Sequence, residues 1–411
     1  MPLGLREHTN WIAGERRPAV RGGHFELPRP GPEGPPVGIW PRSTRDDLEL
    51  AVGALSRRPA VPSEPGGLGG VLERAAAALA RDPDPDGTLA ASLGLEPREL
   101  ARTFDGLEGE LADVCDAWAP LRGVQRGAGG GAGCASGGAD SRGGRALALV
   151  RVHWSELYAG LARELVPLFA AGASAVVLSD PTVPELAELF AGALATAGLP
   201  AAALAVLHAD HDELVRAAVD GDTFDSVRLV GLEPLGARVE RWRAAGGGAH
   251  FGAGVVARER ATRVEFRAPG SSTARVRRDD DPRARAHEVL RAALGRAASL
   301  SGQRAGQIGR VVCHPRAFSA FTGELLRILR SEREYREPLP FLDPDLAGHV
   351  RRARELGLDE GATLIHEGPD EVACASGSAA GWIVFTNVEP HMRIASLTRP
   401  APLLSLMREG G

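Results

Sequence analysis

The sequence predicts an α/β protein: a doubly wound, Rossmann-like parallel sheet with a second α/β domain after it. Between residues 145 and 250, short apolar runs alternate with helical stretches, the order that parallel strands joined by crossover helices produce. The alternation resumes after residue 262. A chain of 411 residues, 44% hydrophobic and 25% charged, is long enough for two or three domains and has the composition of a globular protein with a core.

The first 40 or so residues are rich in Pro and Gly, with apolar patches at Trp11-Ile12 and Val37-Gly38-Ile39-Trp40 that read as edge strands and turns. Ser43-Thr44-Arg45-Asp46 offers a helix N-cap with an acid three residues on, and Leu48, Val52 and Leu55 give the following helix one apolar face. Gly66-Gly67 and Gly69-Gly70 precede a helical run at Val71–Ala80, and Asp82-Pro83-Asp84-Pro85-Asp86-Gly87 stops it. A further helical region covers Pro97 to Trp118, so residues 1–126 form an N-terminal part of the first domain. Residues 127–144 are a Gly/Ala/Ser segment, read as a flexible loop. In 145–250 the predicted strands are Arg145–Trp154, Ala175–Leu178, Ala203–Leu207 and Ser226–Val230. Between and after them Tyr158–Ala171, Pro184–Ala197, His211–Val219 and Leu235–Ala245 read as helices. Gly246-Gly247-Gly248 reads as a break. In 262–411, Arg263–Ala268, Gly309–Cys313 and Gly381–Asn387 read as strands, and Pro282–Leu300 and Ala317–Arg330 as helices.

A formal net charge of −5 provides no basic footprint for nucleic acid. The chain contains no lysine, so all 48 of its Lys+Arg residues are arginine. That excludes Schiff-base chemistry, a phosphate-loop lysine and a lysine on a cofactor ribose. Cys115, Cys134, Cys313 and Cys374 show no C-x-x-C spacing, which argues against a zinc site or a disulfide framework. Met1 to Arg17 lacks the apolar core of a signal peptide. The most membrane-like stretch, Leu189 to Leu207, is interrupted by Gly198 and Pro200. A cytoplasmic protein without membrane or nucleic-acid partners is expected.

Several segments, in chain order, resemble the aldehyde dehydrogenase superfamily. They are Asn10-Trp11-Ile12-Ala13-Gly14-Glu15; Val37-Gly38 through Pro41-Arg42-Ser43-Thr44, with Asp46-Asp47 and Ala51-Val52 behind it; and Val152-His153-Trp154-Ser155 at the place of the family's Pro-Trp-Asn turn. Leu165 to Pro181 is similar to the stretch ending in Val-Val-Leu-Lys-Pro, and Ala197-Gly198-Leu199-Pro200 to Ala-Gly-Leu-Pro. Gly302-Gln303-Arg304-Ala305, followed by Arg310-Val311, resembles the nucleophile loop and its next strand. Val388-Glu389-Pro390-His391-Met392-Arg393-Ile394-Ala395 resembles the run before Glu-x-Phe-Gly-Pro. The resemblance has no counterpart for the family's C-terminal segment and so implies a shortened member, with a truncated catalytic-type domain over 262–411.

The resemblance implies NAD(P)-dependent oxidation of an aldehyde to an acid: a cysteine thiolate attacks, hydride leaves to NAD(P), and a glutamate activates the water that frees the acid. It also implies that the residues needed are replaced. The nucleophile aligns with Ala305, whose methyl group cannot attack. The base aligns with Arg267, which cannot accept a proton; a slip of two residues would put Glu265 there, on the same strand face. The oxyanion asparagine aligns with Ser155 beside Trp154, the cofactor-ribose lysine with Ser179, and Glu-x-Phe with Thr398-Arg399-Pro400. The glycines of the pyrophosphate helix remain as Gly231 and Gly236, but Leu232 replaces its serine and Glu233 puts negative charge where a phosphate would sit. A plain strand-to-helix turn explains both glycines as well.

Two other sets of residues could carry chemistry. Cys313, in an apolar strand, reads as a small buried hydrophobe, and Cys374 as part of a small-residue loop. His208, Asp210, His211 and Asp212 are spaced like a metal site but sit at a helix start, where an Asp cap is the expected role, so no metal is assigned. Three readings follow: a family member that has lost the reaction and acts by binding, with an active relative as partner; an oxidoreductase with altered chemistry; and a scaffold without ligand.

Overall fold

The computed structural model describes residues 5–30, 35–55, 67–118, 146–248, 262–332, 335, 340–343, 345–368, 372–374, 377–379 and 382–410. The predicted loop 127–144 and Cys134 lie outside them. The strands are β1 (Arg6–Glu7), β2 (Asn10–Ile12), β3 (Glu15–Arg17), β4 (His24–Leu27), β5 (Gly38–Pro41), β6 (Leu147–Val152), β7 (Ser174–Leu178), β8 (Leu204–Leu207), β9 (Ser226–Val230) and β10 (Arg263–Arg267). They continue with β11 (Ser272–Val276), β12 (Ile308–Cys313), β13 (Thr363–Glu367), β14 (Val372–Cys374), β15 (Gly377–Ala379), β16 (Ile383–Thr386) and β17 (Leu403–Arg408). The helices are α1 (Arg45–Leu55), α2 (Gly67–Arg81), α3 (Thr88–Leu93), α4 (Pro97–Thr103), α5 (Leu107–Trp118), α6 (Leu157–Ala170) and α7 (Glu185–Thr196). After them come α8 (Glu213–Asp220), α9 (Glu233–Gly248), α10 (Pro282–Leu294), α11 (Arg296–Ser299), α12 (Pro315–Ser331) and α13 (Leu346–Asp359).

The chain divides into two compact units: Met1–Leu27, Gly38–Leu89 and Phe104–Ala268 form one, and Pro28–Val37, Ala90–Thr103 and Pro269–Gly411 the other. The helical region Pro97–Trp118 is two helices parted at Gly106, whose φ is +86°.

In the first unit a seven-stranded sheet runs β10-β9-β6-β7-β8-β2-β3. Its strands β6 to β10 are parallel, and β2 joins β8 antiparallel. Every residue of β7 and β8 is buried, so their apolar runs do not alternate. Ala13 (φ +50°) and Gly14 (φ +87°) make the two-residue turn from β2 to β3, a turn that needs positive φ at both positions. Helix α1 starts one residue later than the sequence suggests: Asp47, not Asp46, accepts the Thr44 backbone N–H at 2.8 Å. Helix α9 runs through Gly246-Gly247-Gly248 instead of breaking there. Strand order reverses beside β6, with β7 and β8 on one side and β9 and β10 on the other. In a doubly wound sheet the carboxyl ends of β6 and β9 are therefore the place for a ligand.

The second unit has a five-stranded sheet, β11-β12-β17-β16-β13, parallel except for β13. Phe318, Phe321 and Leu325 of α12 pack with Leu290 and Leu294 of α10 over it. The predicted helix Pro282–Leu300 is cut at Gly295 into α10 and α11. The central strand β17 has no predicted counterpart; its run Leu403-Leu404-Ser405-Leu406 after Pro402 is the signal that could have found it.

Candidate functional site

At the carboxyl end of β6 the chain turns through a short 3-10 helix, Trp154–Glu156, in place of the predicted strand end. Leu157 then takes φ +51°, a costly conformation for a residue with a side chain, before α6 begins. The strain is held by the turn's own bonds: Trp154 N–H donates to Asp180 at 3.2 Å and Glu156 N–H to the His153 carbonyl at 3.0 Å. His153 N–H donates to the Val230 carbonyl at 2.9 Å, joining the β6 and β9 ends across the switch point.

Ser155 is buried. His153 Nδ1 accepts the Ser155 backbone N–H at 3.3 Å, so it also accepts from the Ser155 hydroxyl, 2.8 Å away. The hydroxyl proton is therefore already committed.

Glu156 is the residue that sequence reasoning missed. Its carboxylate is buried and binds Arg267 at 2.6 Å and Arg163 at 2.8 Å. Arg267 also reaches Glu164 at 3.5 Å. The alternative base, Glu265, faces guanidinium groups with both oxygens, Arg263 at 2.6 Å and Arg228 at 4.0 Å. The structure thus brings Ser155, Glu265 and Arg267 to one part of the first unit, and in either register the group at the base position is engaged by opposite charge.

Ser179 directly follows β7 and is buried, its hydroxyl 2.8 Å from His208 Nδ1. Burial holds the His208 imidazole well below its ordinary range, at about 4, against the pull of nearby Glu188. Burial likewise opposes ionisation of Glu188, but the hydrogen bond with His8 and the charges of His208, His8 and Arg16 outweigh it and bring that carboxyl to about 2. The cavity shared by Trp154, His153, Ser179, Asp180 and neighbouring leucines measures about 10 Å³, room for one water molecule.

The Gly231–Gly236 turn leads from β9 into α9. A Cβ on Gly236 would lie 2.6 Å from the Phe266 ring, and one on Gly231 2.7 Å from Leu235. Helix-to-strand packing therefore accounts for both glycines. Glu233 is the first residue of α9.

The metal-like cluster is dispersed. His208 turns to Ser179, Asp210 pairs with Arg42 at 2.5 Å, and Asp212 is held by Arg151 and Arg238 at 2.5 Å each. Asp212 does not cap α8 as expected; His211 Nδ1 accepts the Glu213 N–H instead, at 3.4 Å. Among the described residues no three His, Cys, Asp or Glu side chains gather to hold a metal.

In the second unit Ala305 lies half-buried in the loop from α11 to β12. That loop is strained: Leu300 (φ +50°) and Ser301 (φ +56°) are both left-handed, and Gly302 follows at φ +85°. Gln303 braces it, donating to the Leu300 and Pro340 carbonyls and accepting from Leu342 N–H at 3.0 Å. Arg304 donates to the Thr103 and Ala298 carbonyls. A Cβ on Gly302 would meet the Pro402 backbone at 2.8 Å. Gly302→Ala is expected to cost about 3 kcal/mol, summing a left-handed alanine and an overpacked contact. A urea-denaturation midpoint equal to wild type would contradict this.

Arg399, in the stretch matched to Glu-x-Phe, pairs with Asp343 at 2.7 Å. Cys313 is buried in the core of the second unit, and burial pushes its thiol up to about 11, as expected of a packing residue. Cys374 lies in β14 rather than in a loop.

Comparison with known proteins gives these positions a context. The family model described as "Aldehyde dehydrogenase family" matches residues 154–409. Malonate-semialdehyde dehydrogenase 2 of Bacillus mycoides (strain KBAB4) is 28% identical over 246 residues, 58% of this chain and 47% of the relative. Malonate-semialdehyde dehydrogenase 1 of Geobacillus thermodenitrificans (strain NG80-2) is 28% identical over 250 residues, with the same coverage. The chain spans about half the length of the curated relatives it matches. Among solved structures, an NAD-dependent aldehyde dehydrogenase from Sinorhizobium meliloti aligns with a TM-score of 0.70 at 19% identity, over 99% of this chain and 79% of that one. An NAD-dependent benzaldehyde dehydrogenase from Corynebacterium glutamicum aligns with a TM-score of 0.70 at 18% identity, over 100% and 86%. These two likenesses establish the fold, and the family model covers more than half of the sequence. The chain belongs to the aldehyde dehydrogenase family.

Proposed function

We propose that this chain keeps the family fold without the family reaction and works by binding, with an active aldehyde dehydrogenase as its partner. The observation that carries this reading is Ala305, a methyl group where the resemblance puts the thiol that must bond to the aldehyde. Three further positions support it. Arg267 is ion-paired to Glu156, the Ser155 hydroxyl is committed to His153, and Ser179 is bound to His208.

The residues at the positions assigned to NAD(P) do not fit a dinucleotide. Ser179, at the place of the ribose-binding lysine, is bound to His208, and Glu233 opposes an anion at the start of α9. No helix among the described residues is long and apolar enough to cross a membrane; a cytoplasmic location belongs to the same proposal.

The second reading is an oxidoreductase with altered chemistry. It is favoured by the dehydrogenase names of the relatives and by the strained backbone that the Ala305 loop retains. Calorimetric titration with NAD+ and NADP+ into the millimolar range separates the two. A flat trace is expected, and saturable heat would overturn the proposal. Native mass measurement tests the binding role: a chain that never carries a partner is a scaffold.

A further inference from the structure

We propose that β10 is latched to its sheet by charge more than by core burial, as an edge strand that ionic strength can loosen. Its ladder to β9 runs from Arg263↔Ser226 to Arg267↔Val230, and no described strand pairs with its other side. None of its five side chains is fully buried, whereas Val227, Leu229 and Val230 of β9 are. Val264 only partly covers the core, and Phe266 rests over Gly236 at 37% exposure.

The other face is held ionically. Arg267 grips Glu156 at 2.6 Å and Glu164 at 3.5 Å, and Arg228 of β9 lies between Glu164 at 3.8 Å and Glu265 at 4.0 Å. The carboxylates of Glu156 and Glu164 are only 6% and 14% exposed, which shields them better than an ordinary surface pair. Arg267 is 40% exposed, so salt still reaches the contact. The arginine at the base position thereby serves as the clasp of the sheet edge. When it lets go, the hydrogen-bonding groups of β9 are bared to pairing with another strand.

Amide hydrogen exchange on the full chain, read by mass spectrometry over Arg263–Arg267, tests this. Raising salt from about 0.1 M to about 1 M shortens the screening length from about 10 Å to about 3 Å. Exchange in β10 is expected to speed up about tenfold relative to the fully buried β7 in the same sample. Arg267→Met at low salt is expected to show the fast rate with little further response to salt. Equal β10 rates at both salt concentrations, or a wild-type rate in Arg267→Met, would overturn the proposal. If that variant does not fold, the salt series on the unmodified chain decides alone.

Discussion

Aldehyde oxidation by the purified chain is expected to run at least about a million-fold below that of an active family member, the scale of loss when a covalent nucleophile is removed. Ala305→Cys alone is expected to leave it there. On the proposed assignment the family reaction would still want a base, because Arg267 cannot take a proton and Glu265 faces Arg263 and Arg228. It would also lack a free oxyanion donor at Ser155, and one such donor is worth about 3–4 kcal/mol of transition-state stabilisation. The neighbouring Arg304 is occupied by backbone carbonyls. Following NAD(P)H absorbance for wild type and Ala305→Cys checks both statements. Turnover in wild type that exceeds a no-enzyme blank and tracks protein concentration would show that the chain has another catalytic route.

Acidification from pH 7 to pH 4 is expected to strip roughly 3 kcal/mol of stability through His208 alone. Its imidazole is buried and titrates at about 4 in the fold, against 6.5 as a model group. A lowered pKa means that the unfolded chain binds the proton more tightly. The contribution is therefore complete above pH 6.5 and is lost as the pH falls toward 4. His349 acts in the same direction: burial, then the charges of Arg399 and Arg352, hold it at about 4. Glu188 responds in a lower window, present above 4.5 and lost toward 2. Urea midpoints at pH 7, 5.5 and 4.5 measure the slope, and His208→Gln should flatten it. A wild-type midpoint that does not move over this range would remove burial of His208 as the cause.

The alternating part of the first unit was legible because its periodicity is local. Ser226–Val230 was predicted at the bounds the structure shows, since an apolar run between turn residues has no competing period. The Pro97–Trp118 region was read only as helical, without its division, because the break is a short turn ending in a left-handed glycine, Gly106. In the second unit β11, β13, β14, β15 and β17 were missed. Only β17 carries a plain apolar run, whereas the partly exposed sequence of β13, Thr363–Glu367, resembles a loop until β16 pairs with it.

Sequence by itself determined which side chains the chain has to offer: no lysine anywhere, and a methyl group at 305, the position the proposal assigns to the nucleophile. Residue identity is enough for that, because a methyl group cannot attack and a guanidinium cannot act as a base in any fold. The tertiary structure decided what the replacements do instead. Arg267 meets Glu156 across 111 positions and Ser179 meets His208 across 29, contacts created when parallel strands bring their ends together. Charge pairing and burial depend on those distances in space, and no local pattern encodes them.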